Sequence, residues 1–172
     1  MQHDVTDAVL HLIGKNLVDP KRICIFGASY GGYVAMAGLA FTPDLYACGI
    51  SYAGVSDLCE FIRNLPKHLE IHNKFICETI GDLEVDKKAL LSSSPLHFAS
   101  QIRSPLLLIH GDNDARVLKE QSSEMAERLK SHRPDLIEYA VLKNEGHNLL
   151  KESSRLHYYG IIDGFLRKHI YL

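Results

Sequence analysis

The sequence is first informative through what it lacks. It has no run of about eighteen apolar residues, so no membrane-spanning helix is expected. Met1-Gln2-His3-Asp4 does not have the basic-then-apolar form of a secretory signal, and a cytoplasmic location is the expectation. Lys and Arg never gather into a run of five, and 19 basic against 21 acidic residues leave a net charge of −2. The electrostatic footprint of nucleic-acid and membrane-surface binders is therefore missing, and a peptide or small-molecule partner is expected instead. Cysteine is sparse: Cys24 and Cys48 fall in apolar runs, Cys59 and Cys77 in helical segments, and none has CxxC spacing. Reduced thiols are expected. Repeats and low-complexity segments are absent too, so the 172 residues read as one domain with one core.

What is present is an alternation of helical and strand patterns. Val5, Ala8, Val9, Leu12 and Ile13 share one helical face, with Asp4 as N-cap and Gly14 as stop. Arg22 to Phe26 is short, apolar and β-branched, the pattern of a strand buried on both faces. A small-residue helix from Tyr30 to Ala40 follows, then a strand near Ala47 to Ser51 and a less regular stretch from Ala53 to about Ser100. Pro105 to His110 and Leu136 to Leu142 read as two further strands. Met125, Ala126 and Leu129 mark the helix between them, and Leu156, Tyr159, Ile162, Phe165 and Leu166 the terminal one. Helices alternating with apolar strands predict an α/β fold, a mostly parallel sheet of about four strands flanked by helices. In such sheets the working groups collect beyond the carboxyl ends of the strands.

Gly27-Ala28-Ser29-Tyr30-Gly31 is a G-x-S-x-G sequence at a strand-to-helix junction, the setting of a nucleophile elbow. The spacing has a steric reason: the serine sits in a strained turn, and glycines two residues either side let strand and helix backbones approach. Ser29 would project its hydroxyl at a helix N-terminus, where the Tyr30 N–H can stabilise an oxyanion. A serine hydroxyl needs a base, and an acid to orient that base, in the chain order Ser, acid, His. The third strand runs into Asp112 and Asp114, and the fourth into Gly146-His147. Spacing alone leaves both aspartates open. The segment His68-Leu69-Glu70-Ile71-His72 lacks the Glu directly after the first His that a zinc-binding helix needs, and reads as an exposed helix face with no metal.

Gly27 to Tyr33 (GASYGGY), Ser94 to Ala99 (SPLHFA), Ser104 to Val117 (SPLLLIHGDNDARV) and Gly146 to Asn148 (GHN) together resemble the prolyl oligopeptidase family, nearly end to end. The acylaminoacyl-peptidase and dipeptidyl-peptidase branches are the most similar. The resemblance implies a truncated α/β-hydrolase fold and a serine hydrolase cleaving peptide or ester bonds without a cofactor. It also implies that Asp114, two residues before Arg116-Val117, is the acid, with Asp112 a turn-forming neighbour. Arg116 matches an arginine that binds a substrate carbonyl, and Tyr30, Val55, Leu58, Phe61, Leu65 and Val117 fall where the family builds an apolar specificity pocket. Spaced every three or four residues from Val55 to Leu65, the aliphatic positions also fit plain helix core.

Members of that family carry an N-terminal β-propeller and hydrolase strands upstream of the opening helix, including a loop that supplies a second oxyanion donor. None of these is in the sequence. Two other readings follow: a catalytically impaired fragment or association module, and a small-ester carboxylesterase. With the upstream strands missing, Arg22 to Phe26 becomes a sheet edge, and a homodimer through that edge is expected.

Overall fold

Four apolar segments lie side by side in one all-parallel sheet: β1 (Cys24–Ala28), β2 (Cys48–Tyr52), β3 (Leu106–Gly111) and β4 (Ile137–Leu142), in the spatial order β1-β2-β3-β4. The computed structural model describes residues 2–65 and 70–171. The register sets Phe26 opposite Ile50, Ile50 opposite Leu107 and Leu107 opposite Glu138. Every residue of β2 and β3 is buried, which explains their unbroken apolar runs. Leu106 and Leu108 pack into one layer, and Leu107 and Ile109 into the other.

The first layer is covered by α2 (Tyr30–Phe41) and α6 (Glu120–His132), through Ala35, Met36 and Leu39 of the one and Met125, Ala126 and Leu129 of the other. Outside it lies α1 (Gln2–Gly14), whose Val5 and Val9 touch that core. The second layer is covered by α7 (Glu152–His169), through Tyr158, Ile162 and Phe165. Each large aliphatic side chain so buried contributes about 1.5–3 kcal/mol. Between β2 and β3 come α3 (Leu58–Arg63), α4 (Glu70–Ile80), α5 (Lys87–Ser93) and a 3-10 segment, Pro95–Gln101. None of the helices described is long and apolar enough to cross a membrane. All four cysteines are free.

Several expectations are corrected. The first helix already begins at Gln2, so Asp4 is a first-turn acid rather than the N-cap, and Ala8 and Leu12 face outward. The strand Cys24–Ala28 starts two residues later than Arg22 and is not buried on both faces: Ile25 is 8 % exposed but Phe26 is 53 % exposed. Among the described residues it pairs only with β2, so its apolar content marks an edge. On α7, Leu156 and Tyr159 are 69 % and 63 % exposed, and Tyr158 points inward instead. The stretch after Ala53 does carry the helical segments expected at Cys59 and Cys77, which are α3 and α4. His68 lies outside the described residues, and Ile71 on α4 is exposed.

Candidate active site

At the end of β1 the chain reverses into α2 through Ser29, whose backbone is held at φ 56° and ψ −118°. For a serine this conformation costs about 1–3 kcal/mol and persists only where the surroundings enforce it. Here the Ser29 N–H donates to the Tyr52 carbonyl at 2.8 Å, and the Ser29 carbonyl accepts from the Tyr33 N–H at 3.1 Å. The glycines act differently from the simple symmetric expectation. A Cβ on Gly27 would overlap the Gly31 backbone, whereas a Cβ on Gly31 would meet open space. The second crowded position is Gly32, where a Cβ would fall 2.7 Å from the Ser51 hydroxyl and 2.8 Å from the Gly54 Cα.

The strand ends carry the other two groups to the same rim. His147 Nε2 lies 2.9 Å from Ser29 Oγ, and His147 Nδ1 lies 2.7 Å from Asp114 Oδ2. Asp114 is the aspartate so placed; its Oδ1 also accepts from the Arg116 and Val117 amides at 2.9 and 3.0 Å. Burial pushes the Asp114 carboxyl up, but hydrogen bonds from His110, His147 and the two amides outweigh it and hold the group well below the ordinary aspartate range. It is therefore an anion at neutral pH, aimed at the imidazole.

Asp112 lies in the turn after β3, as expected of it, and its side chain reaches further. Its Oδ1 accepts from the Asn144 N–H at 2.6 Å, and the Asn113 N–H donates to the Glu145 carbonyl at 2.9 Å. The loop after β3 and the loop after β4 are thereby stitched together, which fixes Asp114 and His147 relative to each other. Glu145, 2 % exposed, anchors the second loop by accepting from Ser154 Oγ at 2.5 Å and the Leu150 N–H at 3.2 Å. From below, the Tyr52 hydroxyl donates to the His147 carbonyl at 3.2 Å while its ring meets Tyr158 edge-on. Burial, aided by the nearby Asp114 charge, pushes the Tyr52 phenol up to about 12, so it remains a donor. Neither Glu145 nor Tyr52 carries a sequence signal; only the fold reveals them.

Two cavities meet at Ser29. The larger, about 560 Å³, is lined by Tyr30, Val55, Leu58, Phe61 and Val117, five of the residues expected there. Phe75, Ile76, Thr79 and Ile80 of α4 complete its wall. Leu65 is not on that wall; it packs behind it, against the cluster of Val55, Leu58 and Ile62. Arg116 opens onto a neighbouring hollow of about 180 Å³ with Glu60, Glu120 and Glu124. On the other flank of Ser29, a cavity of about 280 Å³ is lined by His147, Asn148, Arg155, Tyr158 and Tyr159.

The sequence matches the family described as "Prolyl oligopeptidase family" over residues 1–171. It is 32% identical to dipeptidyl peptidase family member 6 of Caenorhabditis elegans over 172 residues, covering 98% of this chain and 23% of that protein. Among solved structures, a Mycobacterium tuberculosis puromycin-hydrolyzing peptidase superposes with a TM-score of 0.90 at 26% identity, over 98% of this chain and 25% of the other. Pyrococcus horikoshii acylaminoacyl peptidase gives 0.83 at 26% identity, over 98% and 27%. The chain thus spans about a quarter of the length of these relatives.

Proposed function

Because the chain belongs to the prolyl oligopeptidase family, we propose that it is the part of a serine peptidase that carries the catalytic triad Ser29, His147 and Asp114. The observation that carries this reading is the unbroken chain of contacts from Ser29 Oγ through the imidazole to Asp114, at 2.9 and 2.7 Å. In the proposed reaction Ser29 Oγ bonds to the substrate carbonyl carbon as His147 Nε2 takes its proton. Asp114 keeps the Nδ1–H tautomer and stabilises the imidazolium, and the Tyr30 N–H faces the oxyanion. His147 then returns the proton to the leaving amine, and water releases the acyl group from Ser29 by the same route.

The two cavities suggest how substrate would lie. The 560 Å³ apolar cavity suits the side chain on the acyl side of the scissile bond, and a substrate carbonyl there would lie near Arg116 on the adjoining hollow. His147 lines the smaller cavity, so the leaving group that it protonates would depart through it. Room on both flanks of the nucleophile admits a residue on each side of the scissile bond, as peptide cleavage requires.

A second reading, an association module, has one observation in its favour: β1 is a sheet edge with Phe26 53 % exposed. A fluorophosphonate probe separates the two. Labelling of the wild type that is lost in Ser29→Ala is expected of the peptidase. An unlabelled chain that light scattering finds dimeric would favour the module. Faster turnover of p-nitrophenyl esters than of aminoacyl amides would replace the peptidase with an esterase.

A further inference from the structure

Asp114 is gripped from two sides, and only one of them belongs to the triad. His110, the fifth residue of β3, is fully buried beneath the loop that carries the acid. Its Nε2 lies 2.9 Å from the Val117 carbonyl and 3.4 Å from Asp114 Oδ2. Both neighbours only accept hydrogen bonds, so Nε2 must carry the hydrogen, with Val117 as the stronger acceptor and Oδ2 as a weaker, shared one. The opposite ring nitrogen, Nδ1, lies 2.7 Å from the hydroxyl of Ser122, also fully buried, which then donates to it. One imidazole thus ties β3 to the acid loop and to the first turn of α6, with every polar atom engaged.

The consequence concerns the oxygen that faces the base. Oδ2 receives His147 Nδ1 from the rim and His110 Nε2 from the interior, while Oδ1 is held by two amides of its own loop. Swinging the carboxylate away from His147 would break contacts at both oxygens. We propose that His110 is a positioning residue, which holds Asp114 and the 114–117 turn so that Oδ2 stays aimed at His147.

This inference rests on the triad reading for its kinetic test, but not for its spectroscopic one. The variants are His110→Leu, His110→Gln, Asp114→Asn and His110→Leu with Asp114→Asn, all made in the full chain. If His110 acts through Asp114, His110→Leu lowers kcat by up to about 10²-fold. His110→Gln, whose amide can stand where Nε2–H stands, recovers most of that loss. Adding His110→Leu to Asp114→Asn costs nothing further, because neighbours acting as a unit are not additive. In parallel, the NMR titration of the His147 ring in His110→Leu should move toward that of Asp114→Asn. A merely structural histidine would give multiplying losses and an unmoved His147 titration, and either result would overturn the proposal. If the wild type hydrolyses nothing, the peptidase reading fails while the titration still decides this one. Should His110→Leu not fold, Ser122→Ala, which removes only the hydroxyl that orients the ring, takes its place with the same readouts and a smaller expected effect.

Discussion

The two sides of the Ser29 cleft are built by different means. On the side of Asp114 and His147, three strand ends converge and their loops are joined mainly through the backbone: Asp112 N–H to Leu142, Asn113 N–H to Glu145, Asn144 N–H to the Asp112 carboxylate. On the pocket side, helices α3 and α4, inserted between β2 and β3, supply apolar side chains such as Leu58, Phe61, Ile76 and Ile80. Directional bonds with narrow distance limits set the first side, and non-directional burial sets the second. The geometry around Ser29, His147 and Asp114 should therefore be fixed tightly, while the shape of the apolar cavity can vary without disturbing it.

The largest effect should come from Asp114. Asp114→Asn leaves the shape but removes the charge and the correct tautomer of His147, and kcat should fall by about 10⁴-fold. The same variant tests the electrostatics. A carboxyl held below its ordinary value near 3.8 stabilises the fold at pH above that value, and the stabilisation is lost as pH falls below it through the folded value. Urea unfolding should show wild type more stable than Asp114→Asn at neutral pH, with the gap narrowing below about pH 4. A gap independent of pH would break the account of this side as charge-organised.

Next comes the backbone at the elbow. Gly27→Ala forces a Cβ into the Gly31 backbone, and should cost about 1–3 kcal/mol of stability and slow probe labelling of Ser29. Gly31→Ala, whose Cβ meets nothing within 4 Å, should be milder in both assays. Equal effects would refute the asymmetry. The smallest change is expected on the pocket side. Phe61→Ala should raise KM for substrates with a large apolar acyl side chain by about 10-fold, and leave labelling by a small fluorophosphonate unchanged. A parallel loss of labelling would mean that the two sides are not separable.

The same division decides what could be read in advance. The tight turn at Ser29, the strand-end loops that carry the aspartates and His147, and the four strands are legible because each leaves a local mark: a Gly-x-Ser-x-Gly turn, an apolar run, a polar loop after it. The edge position of β1 agrees with the expectation for Arg22 to Phe26, but its apolar run alone does not show that Phe26 faces outward, because an edge strand can be as apolar as a central one. The inward face of α7 is not decided by its own sequence: in a helix of 18 residues several apolar stripes compete until the sheet selects one, and Leu156 and Tyr159 are left outside. The α4 wall of the pocket was missed because Phe75, Ile76, Thr79 and Ile80 are ordinary helix residues until α3 lies opposite them. His110 looked like the end of a strand; nothing in its neighbourhood along the chain announces an aspartate four residues on as its contact.

The strand order has a mechanical side. Ser29 leaves the first strand and His147 the fourth, and with neighbours about 4.8 Å apart their origins are separated by roughly 14 Å. The imidazole bridges that width because its loop leans back across the top of β3, braced on Asp112 and Tyr52. The reach from His147 to Ser29 is thus spanned by a loop and not by neighbouring strands, and it depends on those two braces.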